Sequence, residues 1–306
     1  MLRNTIIALS QNRRLRSFSE RSSSGHRLCR RFVAGTSLPE VLKVARTLNS
    51  EGMSVTIDSL GESVTSEKDA RHSASVYHQL LDLIAASGLS AHVSVKATQM
   101  GLDINSNLCF VLFGDLVTHA ARVGRFVRID MEGSPYTQRT LDLVCRLNEN
   151  PNSHGAVGAV VQAYLYRSDK DITRLVEKGI PIRLCKGAYN EPHTIAFRRK
   201  LDVDNQFIKI MKTLLTSGLY HGIATHDPRM IEATITFAEL EGISAESFEF
   251  QMLYGVRRDL QKALVRRGYR LRIYTPFGTE WYPYFMRRIA ERPANVLFVV
   301  KNIFRG

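Results

Sequence analysis

The sequence predicts a single (β/α)8 barrel preceded by a helical amino-terminal arm. Apolar, strand-like segments alternate with amphipathic helical segments, which favours parallel strands joined by right-handed crossovers. The chain has 306 residues, 44% of them hydrophobic, and about eight strand–helix units in this length favour a closed barrel. No Gly-x-Gly-x-x-Gly turn follows the first predicted strand, so an open nucleotide-binding sheet is disfavoured.

The arm is predicted over residues 1–52 and the barrel over 53–306. Met1 to Phe32 is rich in Arg and Ser, and Glu20 is its one acidic residue. Transit peptides share this composition, but a basic helical arm that packs on the domain is the favoured interpretation. The apolar run near the start is too short for a secretory core, which needs about 7 to 15 residues.

Local signals mark the ends of the later elements. Ser37 to Glu40 has the form of a capping box, so a helix should begin there, and Gly52 should end it. A glycine then ends most of the helical segments, and a strand follows. The predicted strands begin near Met53, His92, Phe126, Val160, Pro181, Gly222, Phe248 and Tyr269, and the strand that begins at His92 is predicted to reach Thr98.

Charge and cysteine content narrow the class of protein. Lys and Arg number 42 against 29 Asp and Glu, a net charge of +13, which favours an anionic substrate, a polyanion or an anionic membrane surface. No nucleic-acid-binding motif is evident, so that partner is not predicted. The four cysteines lack the spacing of a metal or disulfide framework, so no metal is predicted and reduced thiols in a cytoplasmic protein are expected.

Polar residues stand at the carboxyl ends of the predicted strands, where barrels place their active sites. In the segment from Pro181 to Tyr189, an apolar strand acquires Arg183 and Lys186, and Gly187 allows the backbone to approach a ligand closely. Each such residue alone has a structural explanation, such as a surface cation or a satisfied core histidine. One pocket explains the set, which comprises Asp58, Lys96, Asp130, Gln162, Arg183, Lys186, Thr225, His226, Gln251 and Tyr274.

The last predicted helix carries a second cluster of charge. Arg287, Arg288 and Glu291 share one helical face. They form either an ordinary surface ion pair or a cation pair that grips a carboxylate at two points. No nucleophile elbow, phosphate-binding loop or metal-binding histidine pair is evident, so the site suits a cofactor that performs the chemistry itself.

Seven motifs, in order along the chain from about residue 32, resemble those of the proline dehydrogenase family. They are Ser94-Val-Lys-Ala-Thr-Gln99, Arg128-Ile-Asp-Met-Glu132, Gln162-Ala-Tyr-Leu-Tyr166, Arg183-Leu-Cys-Lys-Gly-Ala-Tyr189, Ala224-Thr-His-Asp-Pro228, Phe248-Glu-Phe-Gln-Met-Leu-Tyr254 and Tyr284-Phe-Met-Arg-Arg-Ile-Ala-Glu291. The resemblance implies a (β/α)8 barrel that binds FAD, oxidises L-proline to Δ1-pyrroline-5-carboxylate and passes electrons to a membrane quinone. It is to the stand-alone bacterial form. The positive charge would then support peripheral contact with anionic lipid on the inner face of the membrane.

The resemblance also implies roles for individual residues. Asp130 and Arg183 fall on positions treated as catalytic. The substrate-binding positions are Lys96, Tyr274, Arg287, Arg288 and Glu291, and Tyr274 favours proline over hydroxyproline. The cofactor-binding positions are Met131, Gln162, Arg183, Lys186, Gly187, Ala188, Thr225, His226 and Gln251.

Three alternatives stay open from the sequence. A hydroxyproline dehydrogenase would share most of the site. A barrel aldolase or lyase would form a Schiff base on Lys96 or Lys186. A basic adaptor for nucleic acid or membrane would use the charge alone, and bound flavin would exclude it.

Overall fold

The described parts of the chain, residues 29–61 and 64–290 without the side chains of Arg287, Ile289 and Ala290, come from a computed structural model. Eight parallel strands close into a barrel in chain order, and the last strand pairs with the first. The predicted fold class is therefore confirmed. The strands are β1 (Ser54–Ser59), β2 (Ala91–Lys96), β3 (Val127–Asp130), β4 (Val157–Gln162), β5 (Ile182–Cys185), β6 (His221–Ala224), β7 (Phe248–Leu253) and β8 (Leu271–Phe277).

Helices alternate with these strands, and a short 3-10 helix, Thr98–Met100, follows β2. The helices are α1 (Leu38–Ser50), α2 (Glu67–Ala86), α3 (Ser106–Arg122), α4 (Ser134–Asn148), α5 (Ser168–Glu177), α6 (Lys200–Leu215), α7 (Pro228–Leu240), α8 (Arg258–Arg266) and α9 (Trp281–Ala290). In the described part of the chain, no helix has the length and apolarity that crossing a bilayer requires. None of the four cysteines is in a disulfide bond.

The start of α1 matches its prediction, but the capping contacts differ from a standard capping box. Ser37 is the N-cap residue, yet its side chain makes no capping bond to the backbone. Instead, the Glu40 carboxylate accepts a hydrogen bond from the Thr36 backbone N–H at 2.8 Å. The buried face of α1, including Val41 and Ala45, belongs to the same core cluster as the barrel strands. The boundary predicted at residue 52 stays a prediction.

Two predicted strands were drawn too long at their carboxyl ends. The strand expected to reach Thr98 stops at Lys96, because Ala97 already has helical backbone angles and the 3-10 helix follows. The strand expected within residues 181–189 stops at Cys185. The residues that follow both strands therefore lie at the barrel mouth rather than in its wall.

The interior of the barrel is polar, although branched apolar residues usually fill such interiors. Outward-facing residues such as Val55 and Ile57 pack in the main hydrophobic core, and their neighbours alternate into the barrel. Two strand glycines make room for long side chains there. A Cβ on Gly158 would overlap the Arg128 guanidinium, and one on Gly222 would overlap the Gln251 amide.

Candidate active site

A cavity of about 480 Å³ opens at the carboxyl ends of the strands. This volume lies within the range of small-molecule sites, about 300–1,000 Å³. Most of the site residues predicted from the sequence line it. Those residues are Lys96, Asp130, Met131, Gln162, Arg183, Lys186, Gly187, Ala188, His226, Gln251, Tyr274 and Arg288.

The predicted catalytic pair, Asp130 and Arg183, forms a buried ion pair at the cavity. Arg183 Nη1 donates to Asp130 Oδ1 at 2.7 Å and to Ser94 Oγ at 3.1 Å. The Ser94 hydroxyl in turn donates to the same carboxylate oxygen at 2.6 Å. Removing one member of such a pair typically costs about 3–5 kcal/mol, because the other charge is left buried and uncompensated. The two hydrogen bonds to Asp130 and Ser94 therefore hold the Arg183 guanidinium in one position.

Gln251 extends this network into the barrel. Its Nε2 donates to Glu249 Oε1 at 2.7 Å, so its Oε1 faces the other way and accepts from Arg183 Nε. Glu249 also accepts from Arg272 Nε at 2.6 Å. Burial opposes ionisation of Glu249, but the Arg272 charge and hydrogen bond outweigh it and hold the pKa of this carboxyl below its ordinary value. An ionised Glu249 fixes the orientation of the amide that positions Arg183.

The Tyr274 hydroxyl contacts two carboxylates at the barrel mouth, Asp58 on β1 and Asp130 on β3. This hydroxyl lies 2.7 Å from Asp58 Oδ2 and 2.7 Å from Asp130 Oδ2, and Lys96 Nζ donates to Asp58 Oδ2 at 3.1 Å. Burial, then the two carboxylates, raise the pKa of Tyr274 well above its ordinary value. Burial raises the pKa of Asp58, the Lys96 charge opposes this shift, and the Asp130 charge adds to it.

Gln162 links the ends of β3 and β5. Its Nε2 donates to the Glu132 carbonyl at 3.0 Å, and its Oε1 accepts from the Ala188 N–H at 3.1 Å. The adjacent Gly187 has φ 132°, and a Cβ there would overlap the Tyr164 ring. Only glycine fits this conformation and this contact, so the backbone of Gly187 and Ala188 forms one wall of the cavity.

Lys186 lies in an ion-pair cluster at the rim. Its ammonium contacts the carboxylate of Asp204 and that of Asp227, the latter at 2.8 Å. Arg229 Nη2 lies 2.7 Å from Asp204 Oδ2. Burial opposes ionisation of Asp227, but the hydrogen bond from Lys186 and that from the Arg229 backbone hold its pKa well below the ordinary range. The cluster ties the end of β5 to the amino-terminal ends of α6 and α7.

The two predicted cofactor-binding residues after β6 differ in position. His226 lines the cavity, and its Nε2 accepts from the Leu253 N–H at 2.9 Å. Thr225 is buried outside the cavity lining, and its hydroxyl accepts from the Asp227 N–H at 3.1 Å. A side-chain contact between Thr225 and a ligand in this cavity therefore stays a prediction.

Helix α9 supplies the roof of the cavity. Tyr284 and Arg288 line it, and the Arg288 guanidinium lies over the Tyr284 ring, 5.2 Å from its centroid. Tyr282 is buried against Trp281 instead. The Arg287 side chain and Glu291 lie outside the described residues, so their substrate contacts stay predictions.

Several residues of the site carry no strong sequence signal. Glu249, Asp204 and Asp227 became relevant once the fold brought them to Gln251 and Lys186. Asp58 stood at a strand end in the sequence without an assigned role. The close contact of Tyr164 with Gly187 has a sequence signal at the glycine, because a glycine in or next to a strand often marks the close approach of another group.

The fold and the site define an enzyme of the (β/α)8 class. Its small-molecule site combines a buried Asp–Arg pair, a backbone wall formed by a glycine and its neighbour, and an arginine from the last described helix.

Comparison with known proteins identifies the family. The family profile described as proline dehydrogenase matches residues 41–301. Proline dehydrogenase 1 of Bacillus subtilis is 40% identical over 306 residues, the whole of both chains. The proline dehydrogenase of Deinococcus radiodurans is 38% identical over 283 residues and 91% of each chain. The chain therefore belongs to the proline dehydrogenase family.

Solved structures agree with the fold. The crystal structure of proline utilization A from Bdellovibrio bacteriovorus inactivated by N-propargylglycine has a TM-score of 0.82 and 28% sequence identity, and the match covers 87% of this chain and 33% of that longer one. The predicted family is confirmed, and membership implies a flavin cofactor.

Proposed function

We propose that the protein oxidises L-proline to Δ1-pyrroline-5-carboxylate with FAD and passes the electrons to a membrane quinone. Family membership makes it an oxidoreductase that acts on proline in the first step of proline catabolism. The observation that carries the detailed proposal is one cavity that brings the Asp130–Arg183 pair, Lys96 and Arg288 together. The cations Lys96 and Arg288 suit the carboxylate of a small acid, and the backbone wall of Gly187 and Ala188 suits a flat cofactor.

The residues around the cavity fit a flavin. Its donors, the guanidinium of Arg183, the amide of Gln162 and the ammonium of Lys186, suit the electron-rich carbonyls and ring nitrogens of an isoalloxazine. The wall of Gly187 and Ala188 carries little side-chain bulk, which suits a planar ring. When bound, FAD supplies the two-electron acceptor for the hydride from the substrate. Met131, Thr225, His226 and Gln251 would complete the residues that hold it.

Arg183 has the clearest catalytic role. The network of Asp130, Ser94 and Gln251 holds its guanidinium before any ligand binds. A cation fixed in this way stabilises negative charge that develops during reduction without reorganising at that moment. Asp130 orients and neutralises Arg183 in the resting site.

The substrate would lie between the strand ends and α9. Arg288, together with Arg287, would bind the proline carboxylate at two points, and Lys96 would contact the same group or Glu291. Tyr274 would pack against the ring, and its own ring already stacks on the Arg183 guanidinium, 5.2 Å from centroid to Cζ. The substrate amine must be neutral to yield an iminium, so the rate should rise as pH climbs toward the pKa of the bound amine.

Specific contacts weigh against the lyase alternative. Lys96 is ion-paired with Asp58, and Lys186 with Asp204 and Asp227. Schiff-base chemistry needs a neutral amine, and carboxylate partners stabilise the ammonium form. Hydroxyproline remains a competing substrate, and Tyr274 is the residue we propose to disfavour it.

A membrane quinone as electron acceptor would bring the enzyme to a membrane during turnover. We propose a cytoplasmic enzyme that binds the inner face of the membrane peripherally, since a net charge of +13 favours anionic lipid. Co-sedimentation with anionic vesicles at low salt, but not with neutral ones, is the expected result. Equal binding to both, or to neither, would contradict it.

The direct test of the function is substrate-dependent reduction of a water-soluble quinone. L-proline should support it, trans-4-hydroxy-L-proline should support it far less, and the product should be the cyclic imine. Borohydride with a keto acid should label neither Lys96 nor Lys186. Failure with L-proline, or lysine labelling, would overturn the proposal.

A further inference from the structure

Helix α9 packs in a hydrophobic cluster that is separate from the main core. Its buried aromatic residues Trp281, Tyr282, Tyr284 and Phe285 group with Cys29, Phe32, Val33 and Leu60. The main core, which unites the strands and the surrounding helices, contains none of these eight residues. In the described part of the chain, the apolar face of α9 is therefore buried mainly by the segment that precedes α1.

We name residues 29–35 the strap, because backbone contacts join them to the chain just before α9 and to the loop after β7. The Ala34 N–H donates to the Pro276 carbonyl at the end of β8, at 2.8 Å. The Gly278 N–H donates to the Gly35 carbonyl at 3.0 Å. At the other end, the Arg31 carbonyl lies so close to Gly255 that a Cβ on this glycine would overlap it. The strap thus has a defined path.

Phe32 gives the strap an aromatic contact with α9. It is 2% exposed, and its ring centroid lies 6.1 Å from that of Phe285, within the range of favourable aromatic pairs. Phe285 also contacts Trp281, at 5.8 Å between centroids. These contacts lie on the turns of α9 that precede Arg288.

Arg288 follows Phe285 by three residues and Tyr284 by four, so it lies on the next turn of the same helix. Its guanidinium lines the cavity, and the strap packs against the preceding turns of the same face of the helix. A rotation or shift of α9 would move this guanidinium relative to the strand ends, which the main core holds independently.

We infer that Phe32 is a positioning residue for substrate binding, since it fixes α9 so that Arg288 faces the cavity. The identity of the substrate in this inference rests on the proposed function. An interaction made through Arg288 should affect affinity for the substrate carboxylate and leave flavin binding unchanged.

The test uses the holoenzyme of Phe32→Ala and of the milder Phe32→Leu, with Phe207→Ala as the control. Phe207 is fully buried in the main core, so its truncation makes a cavity of the same kind away from α9. Phe32→Ala should raise KM for L-proline about tenfold with kcat changed less than twofold, because about 1.4 kcal/mol of lost binding is a factor of ten. Phe32→Leu should raise it two- to threefold. Phe207→Ala should lower Tm without changing KM.

Trp281 provides a readout that is independent of substrate. It is the one tryptophan of the chain, and it is 1% exposed in the hydrophobic cluster that α9 shares with the strap. Phe32→Ala should shift its emission maximum to longer wavelength and increase acrylamide quenching, whereas Phe207→Ala should do neither. An unchanged maximum in Phe32→Ala would overturn the anchoring of α9.

A double variant tests whether Phe32 acts through Arg288. In an Arg288→Met background, Phe32→Ala should raise KM by less than twofold further. A full tenfold increase in that background, or an unchanged KM in Phe32→Ala alone, would overturn the inference. If the wild type did not oxidise L-proline, the proposed function would fail, and the Trp281 measurements would then decide the anchoring by themselves.

Discussion

The floor and the roof of the cavity are built in different ways. The floor consists of strand ends whose side chains are buried, ion-paired and fixed by neighbours that are themselves fixed, as in the series Asp130, Arg183, Gln251 and Glu249. The roof is one helix, α9, which rests on an aromatic cluster outside the main core. Groups that stabilise developing charge must not move, whereas a group that binds substrate must admit it. On the proposed function, we therefore expect substitutions of the Asp130–Arg183 network to change mainly the rate, and substitutions in α9 to change mainly the affinity for substrate.

The largest effect is expected from breaking the floor at Arg183. Arg183→Lys keeps the charge but loses the fork that joins Asp130, Ser94 and Gln251. We expect kcat to fall about 100- to 1,000-fold, the usual cost of removing a preorganised electrostatic contact. Single-turnover flavin reduction measures this directly. A kcat within threefold of wild type would remove Arg183 from the chemical step.

Substitution of Arg288 in the roof should change KM for L-proline rather than kcat. Arg288→Met removes a charged hydrogen bond worth about 1.5–3 kcal/mol, so KM for L-proline should rise roughly 10- to 100-fold while flavin content stays at the wild-type level. Steady-state kinetics and the flavin absorbance together measure the two effects. A fall in kcat with unchanged KM would contradict the division between floor and roof.

Tyr274 belongs to the floor, and on the proposed function we expect it to control the choice of substrate. Tyr274→Ser removes the ring and should raise the hydroxyproline-to-proline ratio of kcat/KM about tenfold, a typical gain when a pocket is enlarged by a few atoms. Tyr274→Phe keeps the ring and should leave the ratio near that of wild type. A ratio raised equally in both variants would show that the hydroxyl, not the ring, discriminates between the substrates.

The smallest effect concerns the pH dependence of stability in the floor. The pKa of Asp58 is raised in the folded protein, so the native state binds more protons than the unfolded state above about pH 4. The contribution of Asp58 to the free energy of unfolding should therefore fall as pH rises from about 4 through its folded pKa. Lys96, Asp130, Tyr274 and the hydroxyl of Tyr77 face this carboxyl.

Asp58→Asn tests whether this contribution to the free energy of unfolding falls as pH rises. Its stability relative to wild type should increase as pH rises through that window, measured by urea denaturation at several pH values. Glu51→Gln, at an exposed carboxylate just after α1, is the matched control and should show no such trend. A difference that decreases with rising pH would contradict the raised pKa.

The sequence predicted the barrel and most of the floor because both follow from a local, repeated signal. A polar residue that ends an apolar strand is visible without the fold, and parallel closure brings all such residues to one end. Lys96, Asp130, Gln162, Arg183, Gln251 and Tyr274 all line the cavity for that reason.

The remaining features depend on contacts that no local pattern encodes. Glu249 orients Gln251 from the same strand, two residues earlier, and alternation alone does not reveal whether the oxygen or the nitrogen of this amide faces Arg183. Phe32 and Trp281 are about 250 residues apart in the chain and meet through tertiary packing. Strand ends were overestimated where helical backbone angles at Ala97 interrupt an apolar run.

We propose that this cavity brings a flavin and L-proline together. An anaerobic spectrum of the purified protein, recorded before and after addition of L-proline, tests it most directly. We expect an oxidised-flavin absorbance band that bleaches when L-proline is added, with FAD released on denaturation. A colourless protein, or a flavin band that L-proline leaves unchanged, would contradict it.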